Sequence, residues 1–475
     1  MRIQKSEYAP AKLPHCSVRR QNGVVIFIKE MEKNMRILFV SLGCDKNLVD
    51  TEYMIGTLRE AGHTFTDEEE QAEVIIINSC CFINDAKEES INTILELAEY
   101  KDAGTCQALL VTGCLAERYR KEIMHEIPQV DAVLGTGSGE KIAAAVEEVL
   151  KGKKYESYQP LENPPFSSGK RFLTTGGHYA HLKIAEGCNK NCTYCIIPKI
   201  RGRYRSVPME ELLTQARELA AQGVKELILV AQETTLYGLD LYGKKSLHIL
   251  LDELNRISGI QWIRIMYCYP EEIYEELIQS IKRNKKVCHY LDMPIQHISN
   301  AVLKRMGRKT TREELTEKLA HLRAEIPDIT LRTTLIAGFP GETQEMHEEL
   351  MYFLNEMEFD RLGAFSYSQE ENTPAAEFPD QVEEYQKSIW KEDIMELQEE
   401  IIFDKNEEMK GQELWVMIEG KVEGENVCIG RTYRDAPEID GYIFINTEET
   451  LMTGDFVKVK VTGAHEYDLT GEVIV

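Results

Sequence analysis

Apolar and polar positions follow two rhythms in the first third of the chain. Nearly continuous apolar runs stand at 36–41, 74–78 and 108–112, with a weaker one at 130–134. Between them, apolar residues recur at helical spacing over 47–61, 86–100, 116–125 and 141–150. A short unbroken apolar run reads as a strand buried on both faces, which a parallel sheet with helices on each side requires. The alternation predicts a doubly wound α/β domain over 35–152.

A stretch rich in Pro, Ser and Gly follows, and we expect a linker at 153–178. A longer alternation then predicts strands at 180–185, 227–231, 262–266, 290–293, 330–336 and 361–365. Helices are expected between them at 208–222, 271–283, 312–325 and 343–357. Six β/α units over 179–405, closed by a charged helix at 381–408, suggest a partial (β/α)6 barrel, shorter than the roughly 250 residues of an eight-fold one. From 406 to 475 the texture changes to short apolar strands at 414–418, 441–445 and 456–461 separated by Gly turns, the pattern of a small all-β barrel. Residues 1–34 match none of this. They are mixed polar, with Pro10, Pro14 and a lone Cys16, and are expected to be a disordered leader or an over-long gene start.

Composition narrows the class. The longest apolar stretch, about ten residues at 74–83, falls short of the roughly 17–25 that cross a bilayer, so no membrane partner is expected. No secretory leader is visible, and the Cys of this chain are too sparse for a disulfide-stapled fold; we expect a reducing, cytoplasmic setting in which clustered Cys bind metal. The net charge of −25 argues against wrapping nucleic acid by bulk electrostatics. In 406–475 there are 15 acidic against six basic residues, a net −9. A barrel of that sign suits a basic protein partner better than RNA, and Glu419, Glu423 and Glu425 form a candidate steering cluster.

Two cysteine sets carry the chemistry. In Cys188-Asn189-Lys190-Asn191-Cys192-Thr193-Tyr194-Cys195, three thiols fall within eight residues, immediately after the first barrel strand. Three ligands on a four-iron cluster leave one iron open, and a loop at the carboxyl end of a barrel strand is where such folds place active sites. A zinc site is the alternative, although no fourth Cys or His lies close by. The second set is spread out: Cys44, Cys80 and Cys114 each stand just past a predicted strand of the first domain. The carboxyl ends of parallel strands share one edge, so the three would converge there. Cys81 and Cys106 compete for this assignment, and position after the strand favours Cys80.

With these residues in view, the Cx3Cx2C loop resembles the radical S-adenosylmethionine (SAM) superfamily. The whole of 35–475, with both Cys sets and three domains in this order, is similar to the methylthiotransferases of that superfamily. The resemblance implies two [4Fe-4S] clusters, one held by Cys188, Cys192 and Cys195 and an auxiliary one held by Cys44, Cys80 and Cys114. It implies a C-terminal TRAM barrel and SAM as source of both a 5′-deoxyadenosyl radical and a methyl group. It implies an electron donor such as flavodoxin. Cys44-Asp45-Lys46-Asn47 resembles the branch that modifies an aspartate of the small-subunit ribosomal protein numbered twelve. The branch acting on a tRNA adenosine usually has Gln-Met-Asn after that Cys and stands as the alternative. For the first branch, nucleic acid is met at most through the ribosome. The runs Asp292-Met293-Pro294-Ile295-Gln296-His297 and Gly430-Arg431-Thr432-Tyr433-Arg434-Asp435-Ala436-Pro437-Glu438 match the ribosomal branch as well. One departure is Asn78-Ser79-Cys80-Cys81, where the family more often has Thr and a single Cys.

Weaker motifs are expected to be mostly structural. Gln232 and Glu233, after the second barrel strand, are candidate SAM contacts. The run 338–342 is read either as a further SAM contact or as loop geometry. The Gly-rich run 135–140 reads as a turn, His297 as a satisfied structural histidine, and Cys268, Cys288 and Cys428 as core residues.

Overall fold

The structure, a computed structural model, describes residues 17–21, 24–28, 34–164 and 169–474. The expected leader lies largely outside them, apart from an antiparallel pair, β1 (Ser17–Gln21) and β2 (Val24–Ile28).

The first domain is a six-stranded, all-parallel sheet of β3 (Arg36–Ser41), β4 (Thr64–Phe65), β5 (Val74–Ser79), β6 (Ala108–Gly113), β7 (Val130–Leu134) and β8 (Tyr155–Ser157). Their spatial order is β4-β3-β5-β6-β7-β8. The two central strands are buried at every residue, as their unbroken apolar runs require. Helices Asp45–Glu60 and Ile142–Leu150 contribute to the core on one face, and Asn84–Asp102 and Cys114–Tyr119 to that on the other. Two differences from the sequence reading stand out. The helix expected at 116–125 breaks at Arg120, whose φ of 45° separates Cys114–Tyr119 from Lys121–Glu126. Strands β4 and β8 are too short and polar to announce themselves, and β8 takes the first residues of the expected linker. The later part of that segment is a packed strap. The Phe172 N–H bonds to the Glu52 carbonyl, and a Cβ on Gly56 would overlap the Lys170 carbonyl.

The second domain is an open parallel sheet, in spatial order β16-β15-β14-β13-β12-β9. Its strands are β9 (Tyr179–Lys183), β12 (Glu226–Val230), β13 (Trp262–Ile265), β14 (Val287–Asp292), β15 (Thr330–Ala337) and β16 (Arg361–Ser366). This is the six-unit partial barrel the sequence predicted. A short ribbon, β10 (Ala185–Glu186) paired with β11 (Arg205–Ser206), closes the base of the intervening loop. The third domain is a closed barrel of β17 (Glu413–Lys421), β18 (Val427–Arg431), β19 (Ile443–Asn446), β20 (Phe456–His465) and β21 (Asp468–Val473).

The segment 431–440 explains why that sequence run is distinctive. It enters the open sheet at the amino-terminal ends of the strands. Arg431 pairs with Glu226 at 2.8 Å, Asp435 with Arg361, Asp440 with Tyr290 at 2.7 Å, and Arg264 donates to the Tyr433 carbonyl at 2.7 Å. The run seals the base of the barrel with paired charges, which are costly to separate once buried.

Candidate functional site

The six cysteines all stand at the carboxyl edges of the two parallel sheets. Cys44 caps helix Asp45–Glu60 after β3, Cys80 follows β5, and Cys114 opens helix Cys114–Tyr119 after β6. Helix amino-termini favour the thiolate over the thiol. Gly43 and Gly113 precede two of these residues, and each has φ near +90°. A Cβ on Gly43 would lie 2.6 Å from the Cys80 sulfur, and one on Gly113 would lie 2.5 Å from the Ser79 carbonyl. Only glycine lets these loops pass so close. Burial raises the Cys114 thiol, and the charges of Cys81, Cys80 and Cys44 all raise it further, so Cys114 feels both adjacent cysteines as well as Cys44.

Cys81 shares the apolar layer around Cys114 and also lies beside Arg118. It is fully buried under helix Asn84–Asp102. Cys80 is held by Ser90, whose hydroxyl accepts its N–H at 2.9 Å and donates to its carbonyl at 2.8 Å.

The radical-type loop is braced from several directions. The Cys188 N–H bonds to the Gly202 carbonyl at 3.1 Å and the Thr193 N–H to the Met306 carbonyl at 2.9 Å. Burial pushes the Cys188 thiol up to about 12 and raises Cys195 as well. Thiols of this kind stay protonated until a metal cluster binds their sulfurs and displaces the protons to solvent. Among the described residues, no three Cys, His, Asp or Glu side chains close on one point as the ligands of a single ion would. The donor sets are all-thiol, with Cys44 and Cys195 half-buried and the other four buried, and each is open by one ligand, which fits two four-iron clusters better than mononuclear zinc.

Gln232 and Glu233 separate into two roles. The Gln232 side chain is used at both ends, accepting from the Gly187 N–H at 2.8 Å and donating to Glu186 at 2.6 Å, so it braces the Cys188 loop. Glu233 keeps one buried oxygen without a hydrogen bond, with Lys190 at 3.8 Å. Burial pushes its carboxyl up to about 7.

Several contacts join the domains, Arg118 to Glu370 at 2.8 Å among them, and two sets lie nearest the cysteines. Asp50 of the first domain meets Lys183, and Arg201 at 2.7 Å; both cations also reach Glu186. Arg201 further donates through Nε to the Cys114 sulfur at 3.4 Å. Nearby, the Lys46 ammonium lies 3.2 Å from the centre of the Tyr267 ring and 2.8 Å from Asp45. Lys46 and Arg201 stand in runs that resemble the family, but the sequence gives neither of them, nor Lys183, a role. Their roles depend on two domains meeting.

The weaker motifs resolve simply. His297 accepts the Ser299 N–H through Nδ1 and sits 3.2 Å from Glu342, which itself accepts the Gly338 and Phe339 N–H groups. Residues 338–342 are thus a self-closed loop. The run 135–140 forms the tight helical turn Thr136–Lys141, with Gly135 just before it. Cys268, Cys288 and Cys428 are buried.

Residues 36–135 match an uncharacterized protein family, UPF0004, residues 182–354 match the radical SAM superfamily, and residues 411–474 match the TRAM domain. A ribosomal protein uS12 methylthiotransferase RimO from Lachnoclostridium phytofermentans is 58% identical over 92% of this chain and 99% of its own. One from Clostridioides difficile is 48% identical over 93% and 99%. The chain belongs to the RimO methylthiotransferase family. It is therefore a radical SAM methylthiotransferase. Part of the fold is shared with the radical SAM methyltransferase TsrM from Kitasatospora setae. That match has a TM-score of 0.50 at 14% identity, over 70% of this chain and 73% of the other.

The RimO-type C-terminal barrel carries its charge unevenly. Glu419 is not part of an outer cluster: it faces inward and pairs with Arg431 at 2.7 Å and His178 at 2.6 Å. Both arginines of the barrel, Arg431 and Arg434, are buried against the radical domain. Glu423, Glu425, Glu448 and Glu449 are exposed. Their two loops meet where the Thr447 N–H bonds to the Asn426 carbonyl, so the acids share one end of the barrel.

Proposed function

We propose that this enzyme places a methylthio group on the β-carbon of an aspartate in ribosomal protein uS12, in the cytoplasm. Cys188, Cys192 and Cys195 would hold the cluster that binds SAM, and Cys44, Cys80 and Cys114 an auxiliary one that carries the sulfur. Together these groups supply an electron, a 5′-deoxyadenosyl radical able to abstract hydrogen, and the sulfur atom. The chain's own residues do the rest. Gln232 fixes the loop that leads into Cys188, and Glu233, with its free oxygen, is a SAM contact. The strap at 170–174 and the base plug at 431–440 close the site from two other sides.

One observation carries the reading. The two thiol sets sit on facing sheet edges, and a single buried guanidinium, Arg201, touches both Cys114 and the Glu186 that leads into Cys188. Sulfur transfer to a carbon radical needs the two centres in one dry compartment. The RimO name of relatives sharing up to 58% of their residues with this chain supports the substrate. The acidic end of the barrel supports a basic protein over tRNA.

Mass spectrometry of uS12 from a deletion strain, and of uS12 treated with the purified enzyme, SAM and reduced flavodoxin, tests the proposal. One added methylthio group in place of one hydrogen is expected on one aspartate. Modification of a tRNA adenosine with uS12 untouched would overturn it in favour of the other branch.

A further inference from the structure

Arg201 is 3% exposed and every edge of its guanidinium is used. Nε donates to the Cys114 sulfur at 3.4 Å, Nη2 to Asn47, and Nη1 to Asp50 at 2.7 Å and Glu186 at 3.2 Å. Three of these partners belong to the first domain and the fourth to the ribbon ahead of Cys188. Among the described residues it is the one cationic side chain hydrogen-bonded to any of the six sulfurs. Lys183 and Arg201 together face Asp50 and Glu186, so the network balances its own charge. What it offers the sulfur is a directed N–H from a group that stays ionised.

We propose that Arg201 is a positioning residue of the auxiliary centre. Its N–H to Cys114 raises the reduction potential of the group bound there, and its fork holds that site against the radical loop. The inference rests on the reading that Cys44, Cys80 and Cys114 bind a cluster. The physical basis is general: a hydrogen bond to a ligating thiolate withdraws electron density from it, which favours the reduced cluster. A lysine cannot serve all four acceptors, because its ammonium is a point charge without the planar fork. Placing the donor on one domain and the sulfur on the other means that the potential is set only when the domains are seated.

The test uses the full chain, reconstituted anaerobically with iron and sulfide, in wild-type, Arg201→Lys, Arg201→Met and Asp50→Asn forms. Iron per chain and an electron-paramagnetic-resonance reductive titration are read for each. Arg201→Met and Arg201→Lys are expected to lower the auxiliary potential while the radical centre's moves far less. Asp50→Asn, which keeps the contact to sulfur, is expected to stay near wild type. Loss of auxiliary iron alone in Arg201→Met, with Arg201→Lys keeping its iron at a lowered potential, would equally support the proposal. An unchanged auxiliary potential in Arg201→Met at full iron would overturn it, and so would equal iron loss from both centres. A wild-type chain that takes up only one cluster would instead sink the two-cluster reading itself.

Discussion

The ammonium of Lys46 lies 3.2 Å from the centroid of the Tyr267 ring, which seats the residue two after Cys44 on the mouth of the radical sheet. Tyr267 adopts φ 58°, an unusual conformation for a tyrosine, and its N–H is held by Asp292 at 3.0 Å. Strain of this kind persists where surrounding contacts over-determine the backbone. Burial pushes the Lys46 ammonium toward neutrality, but Asp45, Tyr267 and Cys44 together outweigh this, so it stays charged. Lys46→Met leaves Asp45 buried without its partner and is expected to destabilise the chain by roughly 3–5 kcal/mol. Lys46→Met with Asp45→Asn should recover most of that loss. Thermal unfolding of the two variants against wild type measures it, and equal losses would mean the pair is not coupled.

The two adjacent cysteines give a sharper test of ligation. Cys81 lies in the apolar layer with Leu97, Leu109 and Val111. Cys81→Ala should therefore cost about 1 kcal/mol or so of packing and leave the iron content and absorption spectrum unchanged. Cys80→Ala should remove the auxiliary cluster. Substituting either triple set should halve the iron, from about eight per chain, and only loss of Cys188, Cys192 and Cys195 should abolish SAM cleavage. The reverse outcome at Cys80 and Cys81 would move the ligand by one residue.

Glu233 sets a pH dependence. Burial raises its carboxyl from the ordinary 4.5 to about 7, so between those values the folded chain holds a proton that the unfolded chain has released. Its contribution to stability is therefore full below 4.5 and lost as pH rises through about 7. If the carboxylate is what SAM meets, SAM affinity should rise as pH passes through about 7, where the folded chain's Glu233 ionises. Glu233→Gln should flatten that rise. Calorimetric titration of the anaerobic holoenzyme at several pH values reads both, and an unchanged profile in Glu233→Gln would remove Glu233 from the site.

The acidic end of the barrel should act on encounter more than on chemistry. Reversing Glu423, Glu425, Glu448 and Glu449 to Lys is expected to slow association with uS12 about ten-fold or more at low salt. The effect should shrink as the Debye length falls from ~10 Å at 0.1 M to ~3 Å at 1 M salt. Stopped-flow association at graded salt measures it. Equal slowing at every salt concentration would point to a direct contact or a folding defect instead. Glu419 is left out because its charge already serves Arg431 and His178.

The sequence by itself determined the elements that bury apolar runs and the cysteines that local spacing groups. Strands such as Val74–Ser79 and Ala108–Gly113 are legible because a strand covered on both faces must be apolar at every position. Cys188, Cys192 and Cys195 are legible because one loop carries all three. Cys44, Cys80 and Cys114 became legible once three strand ends were known to share an edge. Tertiary structure alone decided the rest. Strands β4 and β8 exist only because a neighbour offers hydrogen-bond partners, and no apolar pattern marks them. Arg201, Lys46 and Asp50 are charged residues with partners from another domain, 151 positions away for Arg201 and Asp50 and farther for Lys46 and Tyr267. Glu419 shows the converse, an acid that sequence counts as surface and packing turns inward. Periodicity encodes which face of an element meets the core. It does not encode which charges meet when two cores are pressed together.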